Sequence, residues 1–152
     1  MSNVRKPSKH YSSPDTIPHS VAEAAVVYNT PVKMVHLSRN GLPPDFVIDL
    51  IDSYAFSKQE ASRLVDISAK TFDRHLQSGK SFSGLQSDRL LELADLFQEG
   101  IDVFGSRDKF LGWLNSEIAA LGNTTPKDWL DTHKGILMIS DELGRIKHGI
   151  FA

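Results

Sequence analysis

From residue 41 onward, apolar positions recur at steps of three and four, the spacing of one helix face, and caps and glycines cut the recurrence into segments. After Gly41-Leu42-Pro43-Pro44, with proline suited to a first helical turn, Phe46, Ile48, Leu50 and Ile51 mark out a helix reaching Tyr54. Ser57 and Glu60 have capping-box spacing, in which the serine oxygen accepts a backbone N–H three residues on and the glutamate reaches back. Ala61, Leu64 and Val65 give the following helix its buried side. Ser68 is the next N-cap residue, and the helix it opens runs to about residue 78 and stops at Gly79. A long helix is expected over 86–99, with Leu90, Leu93, Ala94 and Phe97 on one face and Gly100 near its end. Another fits 107–121, burying Phe110, Trp113 or Leu114, and Ile118. Thr125-Pro126 begins a short helical turn through Leu130, and Thr132 caps a last helix reaching about residue 148. Neither repeats nor strand pairing are visible, so the expected fold class is all-α.

The first 40 residues read differently. Residues 1–20 are rich in Ser, Pro, His and Lys and have the composition of a disordered arm. Residues 21–28 are apolar and Ala-rich, and Thr30-Pro31 separates them from a second apolar run over 32–37. Both a helix followed by a strand and an extended arm packing on a partner fit that stretch.

Composition narrows the classes. The chain has 152 residues, 40% hydrophobic and 24% charged, as in an ordinary globular protein. Without cysteine there are no disulfides and no thiolate metal sites. No apolar run approaches the roughly 20 residues that span a bilayer, and residues 1–20 lack the apolar stretch of a secretory signal. The expected location is the cytoplasm, with no membrane partner. Net charge is −2, but it is unevenly spread. Residues 56–84 carry five bases against three acids, between acidic stretches on both sides. Such an island suits a local phosphate-binding surface.

That island coincides with two short helices separated by three or four residues, the outline of a helix-turn-helix. On the second of them Ala69, Phe72 and Leu76 share one face and can anchor it against Ala61, Leu64 and Ile67. The opposite face carries Lys70, Arg74 and Gln77, with Thr71 and Ser78 at its flanks and Lys80 in the following turn. These residue types reach phosphates and base edges. An ordinary helical hairpin with a solvated polar face fits the same spacing. Asp73 would repel phosphate if it faced the backbone, and Asp66 stands where many such turns carry glycine.

In the last helix Ile136, Ile139, Leu143, Ile146 and Ile150 form a stripe at helical spacing. Leu137 and Met138 lie off it, near Asp141, Gly144, Arg145 and His148. Apolar residues off a core face suit a partner surface, and a well-buried terminal helix fits too. Beyond it come Phe151 and Ala152. An arginine beside a free terminal carboxylate is suited to plugging a charged pocket, since both groups make charge-assisted hydrogen bonds. The six histidines (His10, His19, His36, His75, His133, His148) show neither metal-ligand spacing nor a Ser/His/Asp or glycine-rich phosphate motif. No catalytic residue, metal site or cofactor is expected.

The stretch from Gly41 onward resembles the Xre/MbcA/ParS antitoxins partnered with RES-domain toxins. The resemblance is carried by Ser68-Ala-Lys-Thr71-Phe72-Asp-Arg74, Gln86-Ser-Asp-Arg89-Leu90, Val103-Phe104-Gly105 and Trp113-Leu114-Asn115. It continues through Ala120-Leu121-Gly122, Thr125-Pro126, Leu130-Asp131-Thr132, Gly135 and the segment from Leu143-Gly144-Arg145 to Phe151. Phe82-Ser83-Gly84-Leu85 departs from the pattern where a leucine is more usual, and Asn123 replaces a common second glycine. The resemblance implies a non-enzymatic antitoxin that blocks the active site of an NAD-consuming or ADP-ribosylating toxin and represses its own operon. It places a helix-turn-helix DNA-binding domain over 41–100 and a toxin-binding domain over 101–152; the N-terminal arm over 1–40 lies outside it, and the apolar stretch 21–37 of that arm is a candidate dimerisation element. The DNA contacts are then Lys70, Thr71, Arg74, Gln77 and Lys80. The toxin contacts are Leu137, Met138, Asp141, Arg145, Lys147, His148, Phe151 and Ala152. The expected partners are operator DNA, a RES-domain toxin and a second copy of the chain, in a homodimer or a larger assembly. A helix-turn-helix regulator without a toxin is the competing reading.

Overall fold

The computed structural model describes residues 30–149. They form seven α-helices in the order α1 (Pro31–Asn40), α2 (Pro44–Ser53), α3 (Lys58–Leu64), α4 (Ala69–Ser78), α5 (Gly84–Phe104), α6 (Arg107–Leu114) and α7 (His133–Lys147). Two 3-10 turns, Ala119–Leu121 and Pro126–Trp129, lie between α6 and α7. Among the described residues the one extended pairing is an isolated bridge between Ile118 and Thr124.

Most helix starts are written in the sequence as short-range side-chain caps. Ser57 Oγ accepts the Glu60 N–H at 3.1 Å while Glu60 accepts the Ser57 N–H at 2.7 Å. Ser68 caps α4 through the Thr71 N–H at 3.1 Å, and Thr132 caps α7 through the Gly135 N–H at 3.0 Å. Each satisfies a backbone donor that the helix cannot, worth about 1 kcal/mol. Ser83 opens α5 with a second capping box, using Gln86.

α5 organises the molecule. α1, α6 and α7 all pack on it, while α4 packs on α2 and α3. Leu90, Leu93 and Phe97 of α5 are almost wholly buried, together with Phe46 and Leu50 of α2 and Ile139 and Leu143 of α7. One buried polar side chain, Ser87, ties two loops together. Its hydroxyl accepts the Leu42 N–H at 2.8 Å and donates to the Phe82 carbonyl at 3.3 Å, so its burial leaves nothing unsatisfied.

Several sequence expectations are corrected here. Residues 32–37 are neither strand nor extended arm but part of α1, which turns Leu37 into the core and packs on α5. α5 does not end at Gly100. It continues to Phe104 and stops at Gly105, whose φ of 81° is the left-handed conformation that glycine adopts without penalty. The division expected at 100/101 therefore falls inside one helix. The helix expected over 107–121 ends at Leu114, because Asn115 and Ser116 turn their side chains back onto the Leu111 and Gly112 carbonyls at 2.8 and 2.6 Å. Ile118 is half-buried beyond that break, and Ile48, one of the apolar positions that mark out α2, is 38% exposed. The expected arm over 1–20, the apolar residues 21–28 and Ile150, Phe151 and Ala152 lie outside the described residues. Among the described residues no helix is long and apolar enough to cross a membrane.

Candidate functional site

α3 and α4 meet at Val65, Asp66 and Ile67. Asp66 has φ 55°, the left-handed conformation that Asp tolerates better than most residues. This is the position where glycine is common, and the side chain does not prevent the turn. Phe72 of α4 is fully buried and its ring lies tilted against Phe82, 5.7 Å between ring centroids. Leu76 and Ile67 are half-buried beside it, whereas Ala69, expected among the anchors, is exposed. Phe72 thus carries most of the anchoring of α4.

With Phe72 inward, Lys70, Arg74 and Gln77 are exposed, and Lys80 is exposed just past Gly79. Lys70, Arg74 and Gln77 follow steps of four and three and so share one face of α4, with Lys80 in the turn beyond it. Thr71 is different. Its hydroxyl lies 2.9 Å from Ser68 Oγ and 3.5 Å from Arg74 Nη2, so it belongs to the cap and steadies Arg74. Asp73 does not confront the cationic face as a bare charge, because Lys58 of α3 pairs with it at 3.0 Å. His75 stacks on Phe82 with centroids 4.9 Å apart, and this ring holds the turn that carries Lys80.

The second surface is on α7. Ile136, Ile139 and Leu143 are buried and Ile146 is half-buried, so the stripe is a core face. Leu137 is 51% exposed. Met138, expected beside it, packs partly against the core instead. Asp141, Arg145, Lys147 and His148 are exposed, Arg145 in a surface pair with Glu142 at 2.8 Å.

Between the two surfaces lies a set of contacts that sequence spacing does not reveal. Lys127 bridges to Glu60 at 2.9 Å and sits 4.8 Å above the Phe56 ring. Arg89 donates to the Asp131 carbonyl at 2.8 Å, and His133 meets Glu92 at 2.7 Å. Partial burial works against the ionised carboxylate of Glu60. The Ser57 hydrogen bonds and the Lys127 ammonium outweigh it and hold its pKa below the ordinary value. These contacts pin the turn Pro126–Trp129 and the start of α7 onto α3 and α5. Among the described residues no group of three or more His, Asp or Glu could hold a metal ion.

A helix-turn-helix with an exposed cationic face is followed by a helical unit whose last helix presents a mixed apolar and charged face. Two family models match the chain: residues 33–95 the antitoxin Xre-like helix-turn-helix domain, and residues 99–149 the antitoxin Xre/MbcA/ParS C-terminal toxin-binding domain. Antitoxin Xre of Photorhabdus laumondii is 31% identical over 111 residues, covering 72% of this chain and 75% of that protein. Antitoxin Xre of Yersinia enterocolitica is 29% identical over 112 residues, 70% and 76% of the two chains. The Prs ADP-ribosylating antitoxin of Sphingobium sp. is 24% identical over 140 residues, 86% and 88%. A chain in the crystal structure of the M. tuberculosis MbcT–MbcA toxin–antitoxin complex shares the fold, with TM-score 0.52 and 21% identity over 70% of this chain and 94% of that one. The chain belongs to the Xre antitoxin family, and it is an antitoxin of a toxin–antitoxin system.

Proposed function

We propose that this antitoxin represses its own operon through α4 and neutralises a RES-domain toxin, an NAD-consuming or ADP-ribosylating enzyme, by covering its active site with α7 and the residues after it. The observation that carries the DNA half is the α4 face itself. Burial of Phe72 leaves Lys70, Arg74 and Gln77 exposed together, with Lys80 in the adjoining turn. In a helix-turn-helix this face enters the major groove, where arginine and glutamine read base edges and lysines neutralise phosphates. Replacing Arg74 by alanine is expected to cost ~1–3 kcal/mol of operator affinity, and losing Lys70 to flatten the salt dependence. Titration of operator DNA with the Lys70→Ala/Arg74→Ala variant tests this. Unchanged affinity in a folded variant would remove α4 from the interface.

The toxin half rests on Leu137, Arg145, Lys147 and His148 being left outside a helix whose core face is already satisfied. Arg145 is the residue type most at home in an interface centre, and Leu137 adds exposed apolar surface about two turns away.

Binding two half-sites related by two-fold symmetry calls for a dimer, since one helix-turn-helix buries little surface on DNA. Of the stretch 21–37 expected to mediate it, Leu37 is used within the chain, while Val32 and Val35 remain 67% and 47% exposed. Sedimentation at micromolar concentration is expected to show a species of at least twice 16.9 kDa. A boundary at the monomer mass both alone and with toxin would refute it.

A further inference from the structure

α5 carries five acids, and four of them, Asp88, Glu92, Asp95 and Glu99, follow one another at steps of four, three and four. These four line one face and span about 16 Å of helix. Two hollows run along this stripe. The first, about 410 Å3 between α1 and α5, has Pro31, Met34 and Val35 on one side and Asp88, Leu91 and Asp95 on the other. The second, about 210 Å3 between α5 and α7, has Leu96 and Glu99 facing Ile136 and Leu137. Glu92 and Asp95 line both, so the hollows adjoin along the acidic stripe, and together they make a trough lined by apolar and acidic side chains.

The acids are not equally engaged. Glu92 meets His133, and Glu99 accepts the Ser140 hydroxyl at 2.9 Å. Among the described residues neither Asp88 nor Asp95 has an ion-pair or hydrogen-bond partner. Burial, and then the neighbouring Glu92 charge, push the Asp95 pKa above the ordinary value.

We propose that residues 21–28 of the same chain dock in this trough, with the basic residues ahead of them against its acidic stripe. Thr30 lines the first hollow, and Asn29 alone separates it from that segment. The segment, Val21-Ala-Glu-Ala-Ala-Val-Val-Tyr28, supplies apolar side chains for the apolar lining. Residues 1–20 contain Arg5, Lys6 and Lys9 against one acid, Asp15, an excess opposite in sign to the stripe. Eight residues cover about 12 Å as a helix and up to about 27 Å extended, so the segment can follow the trough in either conformation. A second copy supplies the same residues, but the covalent attachment at the rim gives the chain's own segment an effective concentration in at least the millimolar range. The docked segment would end beside Leu137, bringing the arm to the edge of the proposed toxin surface.

Amide hydrogen exchange on the full chain tests this. Residues 21–28 are expected to exchange at least tenfold more slowly than a free peptide of the same sequence. The Asp88→Lys/Asp95→Lys variant should return them to the peptide rate while α2 stays protected. Should that variant lose protection in α2, Val26→Asp/Val27→Asp, which alters the arm alone, gives the same reading. Exchange at the free-peptide rate in the unaltered chain would overturn the proposal, as would protection that survives both variants. Protection that rises with protein concentration in step with self-association would identify a second copy as the occupant and overturn it equally.

Discussion

Deleting residues 145–152 is expected to abolish toxin neutralisation while leaving the chain folded and able to bind its operator. α7 is held to α5 by Ile136, Ile139 and Leu143, all at 5% exposure or less, and all three precede the cut. Of the removed residues that are described, only Ile146 is half-buried, whereas Arg145, Lys147 and His148 are exposed. The truncation therefore costs little core and most of the charged face. The Arg145–Glu142 pair is no obstacle to toxin binding, because Arg145 is 54% exposed and surface pairs are worth about 1 kcal/mol or less. If two of the lost contacts are interface centres worth about 2 kcal/mol each, inhibition weakens by about a thousandfold. Toxin activity with the purified truncated antitoxin measures this, beside an operator-binding assay as the control for folding. Full inhibition by the truncated protein would make the tail ordinary structure and place the toxin contact elsewhere. A full-length Leu137→Asp/Arg145→Glu variant separates loss of contacts from loss of a helix turn, and should lose inhibition with helix content unchanged.

What the sequence disclosed and what it hid divide by the range of the interactions involved. The caps at Ser57, Ser68 and Thr132 were legible because each is a hydrogen bond closed within three residues, so residue type and spacing carry the whole signal. The same holds for the polar face of α4, which follows from periodicity once Phe72 is assigned inward. α1 was not legible. It buries Leu37 fully and Met34 in part, and its conformation is decided by docking on α5 rather than by its own pattern. Asp73 looked hostile to DNA because its partner, Lys58, lies on a different helix. Leu137 and Met138 looked equivalent because adjacent residues on a helix differ by only about 100° in direction, and the depth of the α5–α7 contact decides which is covered. Gly100 was misread for a related reason. Glycine favours helix ends, and nothing local in the sequence reports the ring of Phe110.

That ring supports a prediction whose sign opposes helix propensity. Gly100 lies inside α5, where replacement by alanine should stabilise by about 1 kcal/mol on propensity alone. Yet a Cβ there would overlap the Cδ2, Cε2 and Cζ atoms of Phe110, which is fully buried. Phe110 has no easy retreat, since Phe97, Phe104, Trp113 and Tyr54 surround it with centroids 5.9, 6.3, 6.2 and 6.4 Å away. Moving it disturbs the aromatic cluster that joins α5 and α6 to Tyr54 at the end of α2. Overpacking of this kind costs ~1–3 kcal/mol and outweighs the propensity gain. Removing the ring by Phe110→Ala should cost more, ~3–5 kcal/mol, a large share of a stability of ~5–15 kcal/mol. The two effects should not add. With the ring gone, the new methyl at position 100 has space, so the Gly100→Ala/Phe110→Ala variant should be at least as stable as Phe110→Ala. Urea denaturation of the two single variants and the double completes the cycle. A Gly100→Ala protein as stable as the unaltered chain would mean that the α5–α6 contact is looser than the structure draws it. Additive losses would mean that the two positions do not meet.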